Sequence, residues 1–63
     1  MRNSRYPTSE QSLICFILSQ NLTTFLLPIF IVRLDERTGN IYILAGEETG
    51  IVINRNGKWR YDE

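Results

Sequence analysis

Phe30-Ile31-Val32-Arg33-Leu34-Asp35-Glu36-Arg37-Thr38-Gly39-Asn40-Ile41-Tyr42-Ile43-Leu44-Ala45 is the stretch that decides the fold. Two runs of β-branched and aromatic residues flank a polar segment, the pattern of a β-hairpin. Asp35 can accept a hydrogen bond from the backbone ahead of it, and Gly39 can take the positive φ that such loops need. Setting Asp35 opposite Asn40 places Leu34 against Ile41, Val32 against Ile43 and Phe30 against Ala45 on a first face. On the second face Arg33 meets Tyr42 and Ile31 meets Leu44, with Ile29 expected beside them. Apolar side chains therefore stand on both sides of these strands, and a single helix can cover one side.

Downstream, residues 51–54 and 58–61 read as two further strands. Asn54-Arg55-Asn56-Gly57 between them has Asn at its first position and Gly where a left-handed residue completes a bulge. A three-residue loop sets Trp59 opposite Ile53 and Tyr61 opposite Ile51. Glu47-Glu48-Thr49-Gly50 reads as the turn before residue 51. Two registers stay open there, and a one-residue slip moves Ile51, Ile53, Trp59 and Tyr61 from one face to the other.

Upstream, Pro7-Thr8-Ser9-Glu10-Gln11 has the form of a helix start, with Thr8 and Gln11 spaced for a capping box. A helix over 8–22 places Leu13, Phe16, Ile17 and Gln20 on one face, widened by Ile14 and Leu18, and this face is expected to lie on the sheet. Thr23-Thr24 and Pro28 favour extended backbone and should end it near Asn21 or Leu22. Residues 1–6 read as a loose N-terminus. The expected fold is α+β: one domain over 1–63, with an N-terminal helix packed on a small antiparallel β-meander of three to four strands over 28–61.

Leu27-Pro28-Ile29, the run Arg33-Leu34-Asp35-Glu36-Arg37-Thr38-Gly39-Asn40-Ile41-Tyr42-Ile43-Leu44-Ala45-Gly46-Glu47-Glu48, and Asn56-Gly57-Lys58-Trp59-Arg60-Tyr61 resemble a family of very small cyanobacterial proteins of unknown function. The likeness is close from residue 27 onward and loose over the helix. It implies a gene placed beside another short reading frame, a layout that suggests two-component, toxin–antitoxin pairs. It brings no activity and no catalytic residues. Thr49-Gly50 departs from the continued strand expected of the family at that point.

Size narrows the function. A chain of 63 residues buries only about 60% of the surface its unfolded form exposes, so outside support is expected from a staple, a metal or another chain. Cys15 is the single cysteine and there is no histidine, which removes an internal disulfide and the commonest metal ligand. A lone thiol fits a reducing, cytoplasmic setting. Seven basic and seven acidic residues balance, leaving little long-range attraction for nucleic acid or anionic lipid. Residues 11–32 hold no charge, long enough for a membrane span, but Ser19, Gln20, Asn21, Thr23 and Thr24 sit at its centre, where a spanning helix is apolar. That pattern argues against a membrane protein. The short apolar block at residues 13–18, with no small-x-small cleavage site after it, argues against a signal peptide.

Each chemically suggestive group has a plainer reading. Cys15 lies among apolar neighbours with no base near it in sequence, the setting of an inert thiol. Glu47 and Glu48 are adjacent, and adjacent strand residues point apart, a poor geometry for a shared cation. Asp35, Glu36 and Arg37 form a wet turn, with Asp35 as its turn-former. Lys58, Arg60, Tyr61 and Glu63 supply the groups that a metal-free ribonuclease toxin would need, and Arg55, Lys58 and Arg60 interleave with Trp59 and Tyr61 as in single-strand binding. Three cations opposed by Asp62 and Glu63 make that field weak. Ile29, Ile31, Arg33, Tyr42 and Leu44 combine apolar surface with Arg and Tyr, the composition of a protein interface.

The reading is a non-enzymatic small interaction protein that needs no cofactor or metal and has no evident small-molecule ligand. It forms a homo-oligomer or pairs with another small protein through an apolar sheet face. A toxin–antitoxin component and a small membrane protein are the alternatives.

Overall fold

The computed structural model describes residues 6–62, so residues 1–5 of the expected loose N-terminus and Glu63 lie outside the described residues. One helix, α1 (Ser9–Thr24), precedes four strands: β1 (Ile29–Leu34), β2 (Ile41–Ala45), β3 (Thr49–Ile53) and β4 (Trp59–Tyr61). The strands form one antiparallel sheet in the order β1-β2-β3-β4, with α1 on one face. This is the expected α+β meander.

The helix start sets the rest. Thr8 Oγ1 accepts the Gln11 N–H at 3.1 Å while Gln11 Oε1 accepts the Thr8 N–H at 2.8 Å, which closes the capping box. The Thr8 hydroxyl also donates to the Arg55 carbonyl at 2.8 Å. Gln11 itself is fully buried. Its Nε2 donates to the Gly39 carbonyl at 2.6 Å and to the Ile53 carbonyl at 3.2 Å. Two carbonyls can only accept, so only the NH2 end of the amide can face them. One side chain thereby ties the first helical turn to the β1–β2 loop and to the end of β3.

That tie fixes the rotation of the helix, and it differs from the expected one. Gln11, Leu18 and Leu22 are buried, with Ile14 and Cys15 packed beside them. Leu13, Phe16 and Ile17, expected against the sheet, are exposed. α1 has apolar residues on every side, so hydrophobic periodicity alone could not select a face; the Gln11 hydrogen bonds do. The helix also runs to Thr24 rather than ending at residue 22, and Thr24 Oγ1 donates back to the Gln20 carbonyl at 2.9 Å. Its end is a Schellman turn: Leu27 N–H donates to Leu22 O and Leu26 N–H to Thr23 O, both at 2.9 Å. Leu26 stands at φ 63°, a left-handed position that favours glycine.

In the first hairpin the pairs Leu34–Ile41, Arg33–Tyr42, Val32–Ile43 and Ile31–Leu44 form as expected. Beyond them β1 bulges. Ile29, not Phe30, pairs with Ala45, and Phe30 is the extra residue. Ile29 consequently turns to the helix side and packs on the core. β3 begins at Thr49, two residues before the expected start, so Gly46, Glu47 and Glu48 alone make the turn and Thr49-Gly50 continue the strand. Ala45 pairs with Thr49 and Ile43 with Ile51, which settles the open register and puts Ile51 and Ile53 under the helix. Ile53 pairs with Trp59 and Ile51 with Tyr61, as expected. In the β3–β4 loop Asn54 Oδ1 accepts from Asn56 N–H and Lys58 N–H, and Gly57 sits at φ 86°. A Cβ on Gly57 would stand 3.0 Å from Glu10 Cβ, so glycine also lets the helix start approach this loop.

The core under the helix is Leu18, Leu22, Ile41, Ile43, Ala45, Ile51 and Ile53. Burying each large side chain there contributes about 1.5–3 kcal/mol. Gln11→Leu should cost about 2–4 kcal/mol in urea unfolding, because two buried carbonyls lose their donors; Gln20→Leu on the exposed side should stay within about 0.5 kcal/mol of the parent. Leu26→Gly should raise stability by about 1 kcal/mol by relieving the left-handed leucine.

Candidate protein-interaction surface

With the helix on one face, alternation delivers every second strand residue to the other. The register makes this open face a grid of three rows. The end row is Asp35, Asn40, Asn54 and Lys58, held by backbone bonds from Asp35 N–H to Asn40 O and from Asn54 N–H to Lys58 O, both 2.8 Å. The middle row is Arg33, Tyr42, Val52 and Arg60. The third is Ile31, Leu44, Gly50 and Asp62, closed by Asp62 N–H donating to Gly50 O at 2.8 Å. Ile31, Arg33, Tyr42 and Leu44 thus meet as expected, whereas Ile29 does not join them.

No element of the described chain covers this face. Ile31 is 41% exposed, and Tyr42, Leu44 and Val52 are half-buried by their neighbours alone. Gly50 is buried because Tyr42 leans across it; a Cβ there would lie 3.0 Å from the Tyr42 hydroxyl. A shallow cavity of about 350 Å³ opens over the middle row between Arg33 and Arg60, floored by Tyr42 and Val52. Its walls are polar, from Arg33, Asp35, Thr38, Asn40, Arg60 and Asp62, so the face is mixed: an apolar floor inside a charged rim. Val52 and Arg60 were missed in the sequence because their face depended on the unsettled β2–β3 register.

Polar geometry at the rim is local. Asp35 Oδ1 accepts the Arg37 N–H at 2.9 Å, and its other oxygen lies 3.7 Å from the Arg37 guanidinium. The backbone hydrogen bond from Arg37, opposed by some burial and helped by the guanidinium charge, holds the Asp35 carboxyl below the usual carboxylate range. These are the contacts of a turn-former.

The other chemically suggestive groups are dispersed. Arg60 and Lys58 belong to the open face, whereas Tyr61 points to the helix side and packs edge-on against Trp59 with centroids 5.4 Å apart. Glu63, the carboxylate of that set, lies outside the described residues. Glu47 and Glu48 are exposed in the β2–β3 turn. Cys15 is half-buried and free. Among the described residues no three His, Cys, Asp or Glu side chains gather as a metal site would require, and no helix is long and apolar enough to cross a membrane.

On the helix side, two apolar troughs flank α1. One, of about 450 Å³, runs between α1 and β1 and is lined by Cys15, Phe16, Ser19, Val32, Leu34 and Ile41. The other, of about 300 Å³, lies toward β4 and includes Leu18, Phe25, Trp59 and Tyr61.

The chain is therefore a small α+β protein with apolar troughs beside its helix and a mixed polar and apolar sheet face that no described element covers. It belongs to the family described as a domain of unknown function, DUF6888, whose model matches residues 6–60. No curated protein and no solved structure is significantly similar to it.

Because the folded Asp35 titrates below its unfolded value, its contribution to stability is complete above the unfolded value and is lost as pH falls through the folded one. Urea midpoints followed from neutral pH into the acid range should fall less steeply for Asp35→Ala than for the parent chain.

Proposed function

We propose that this chain is a non-enzymatic interaction protein that assembles with another protein chain through its apolar sheet surface. The observation that carries this reading is the open face: Ile31, Tyr42, Leu44 and Val52 lie side by side, bounded by Arg33 and Arg60, with no covering element in the described chain. Monomeric proteins seldom leave contiguous apolar patches beyond a few hundred Å². Tyr and Arg beside aliphatic side chains are the residue types on which interface energy concentrates.

Energetics point the same way. Covering about 300 Å² of apolar surface would yield on the order of 7 kcal/mol before association costs. A domain of this size has a few kcal/mol of its own, so a bound partner would add materially to its stability. Arg33 and Arg60 give direction: they favour a partner that brings hydrogen-bond acceptors to the two ends of the middle row.

Size-exclusion chromatography with light scattering, on the chain alone and mixed with the product of a neighbouring short reading frame, tests the proposal. A defined complex is expected, and Leu44→Lys should weaken contact made through the open face at least tenfold while leaving the circular dichroism spectrum unchanged. A chain that stays monomeric at high concentration and forms no complex would overturn the proposal.

A further inference from the structure

The first sheet edge is unlike the last. β4 is three residues long and carries Arg60 at its centre. β1 is six residues long, and Phe30, Ile31 and Val32 are consecutive, apolar and 59%, 41% and 52% exposed. Natural sheets protect such edges with short strands, bulges, prolines or charges. Here Pro28 and the bulge lie at one end, and only Arg33 interrupts the regular stretch from Ile31 to Leu34.

The outward backbone groups of that stretch follow from one hydrogen bond. Asp35 N–H donates to Asn40 O, so residue 35 turns its backbone groups toward β2. Alternation then turns Arg33 and Ile31 toward β2, and directs the N–H and C=O of Val32 and Leu34 away from it. Among the described residues nothing pairs with these donors and acceptors, which stand at an apolar edge.

Resting on the interaction reading above, we infer that a second copy of this chain pairs with β1, β1 against β1 in antiparallel register about a two-fold axis at Val32, to give one eight-stranded sheet. In that register Val32 lies opposite its counterpart and both exchange N–H···O bonds. Arg33 falls opposite the counterpart of Ile31, and Leu34 opposite that of Phe30. An axis at Arg33 would set two guanidinium groups face to face, which opposes pairing. An axis at Ile31 would place the bulge beside the seam centre. Val32 is the register free of both faults.

The same axis accounts for the trough beside β1. A two-fold perpendicular to the sheet keeps both helices on one side, so the two troughs open toward each other across the seam. Phe16, 65% exposed on the β1 side of α1, and Val32 on the strand below it form the walls of each. A second copy covers both at once, as an unrelated strand without a helix above it would not. Equal numbers of basic and acidic residues give two copies no net repulsion. A standard interface takes about 800 Å² per partner, roughly one-sixth of this chain's 4706 Å². Phe16, Phe30, Ile31 and Val32, all exposed around the paired edge, supply the apolar part of that area. The dimer also joins the two open faces into one continuous surface for the partner.

Light scattering of the purified chain should give twice its 7.4 kDa mass. Val32→Pro, which removes an outward N–H and leaves the β1–β2 ladder intact, and Phe16→Glu should each weaken the dimer at least tenfold with the circular dichroism spectrum retained. Leu44→Lys should leave the mass at the dimer value. In a Cys15→Ser background, Val32→Cys should form an interchain disulfide on mild oxidation, because a residue opposite itself brings the two Cα atoms to about 5.5 Å; Leu34→Cys should not. A parent chain that remains monomeric, or a dimer that survives Val32→Pro and Phe16→Glu but is lost with Leu44→Lys, would overturn the edge pairing. A monomer that still forms a complex with a partner through the open face would overturn the edge pairing alone and leave the interaction reading standing.

Discussion

A single buried amide governs this molecule. Gln11 spends its three hydrogen bonds on three separate places: the helix cap at Thr8, the Gly39 carbonyl in the first hairpin loop and the Ile53 carbonyl at the end of β3. A buried polar side chain is costly unless satisfied, and a satisfied one tolerates few alternative arrangements. The position and rotation of α1 follow from it. Leu18 and Leu22 reach the core because they lie two and three turns further along the same side.

That placement explains the unusual surface. A helix of sixteen residues crossing a four-stranded sheet covers the central strands and leaves β1 and β4 half-open on its own side. Its rotation sends Leu13, Phe16 and Ile17 outward. The reverse of the sheet has no cover in the described chain. The core is sound but narrow, with Ile43, Ala45 and Ile53 fully enclosed, and apolar side chains surround it on three sides. The two surfaces, sheet face and sheet edge, share Ile31 and Arg33 at their margin.

Much of this was legible in the sequence. The first hairpin could be read because only one register matched Leu34, Val32 and Ile31 with apolar partners while pairing Arg33 with Tyr42. The Asn54–Gly57 loop could be read because its turn residues have distinct conformational demands. The bulge could not. Ile29, Phe30 and Ile31 are all apolar, so either face accepts any of them, and unbroken alternation puts Ile29 on the wrong side. The helix rotation was hidden for a similar reason: without charges after Glu10 there is no polar side to mark solvent. The deciding residue was Gln11, which reads in sequence as half of a capping box and is in fact fully buried. The β2–β3 turn was ambiguous because Gly46 and Gly50 both looked like turn residues, and only Gly46 is one.

The reach of Gln11 has a consequence for how the protein comes into being. The carbonyl of Ile53 follows Gln11 by 42 positions, so a chain emerging from the ribosome presents a helix with no charge beyond Glu10 long before its anchor exists. The three hairpins are local and can close quickly once made, but the helix has no fixed seat until the third strand is complete. For that interval Phe16 and Leu18 are equally available to solvent, chaperone or neighbouring nascent chains.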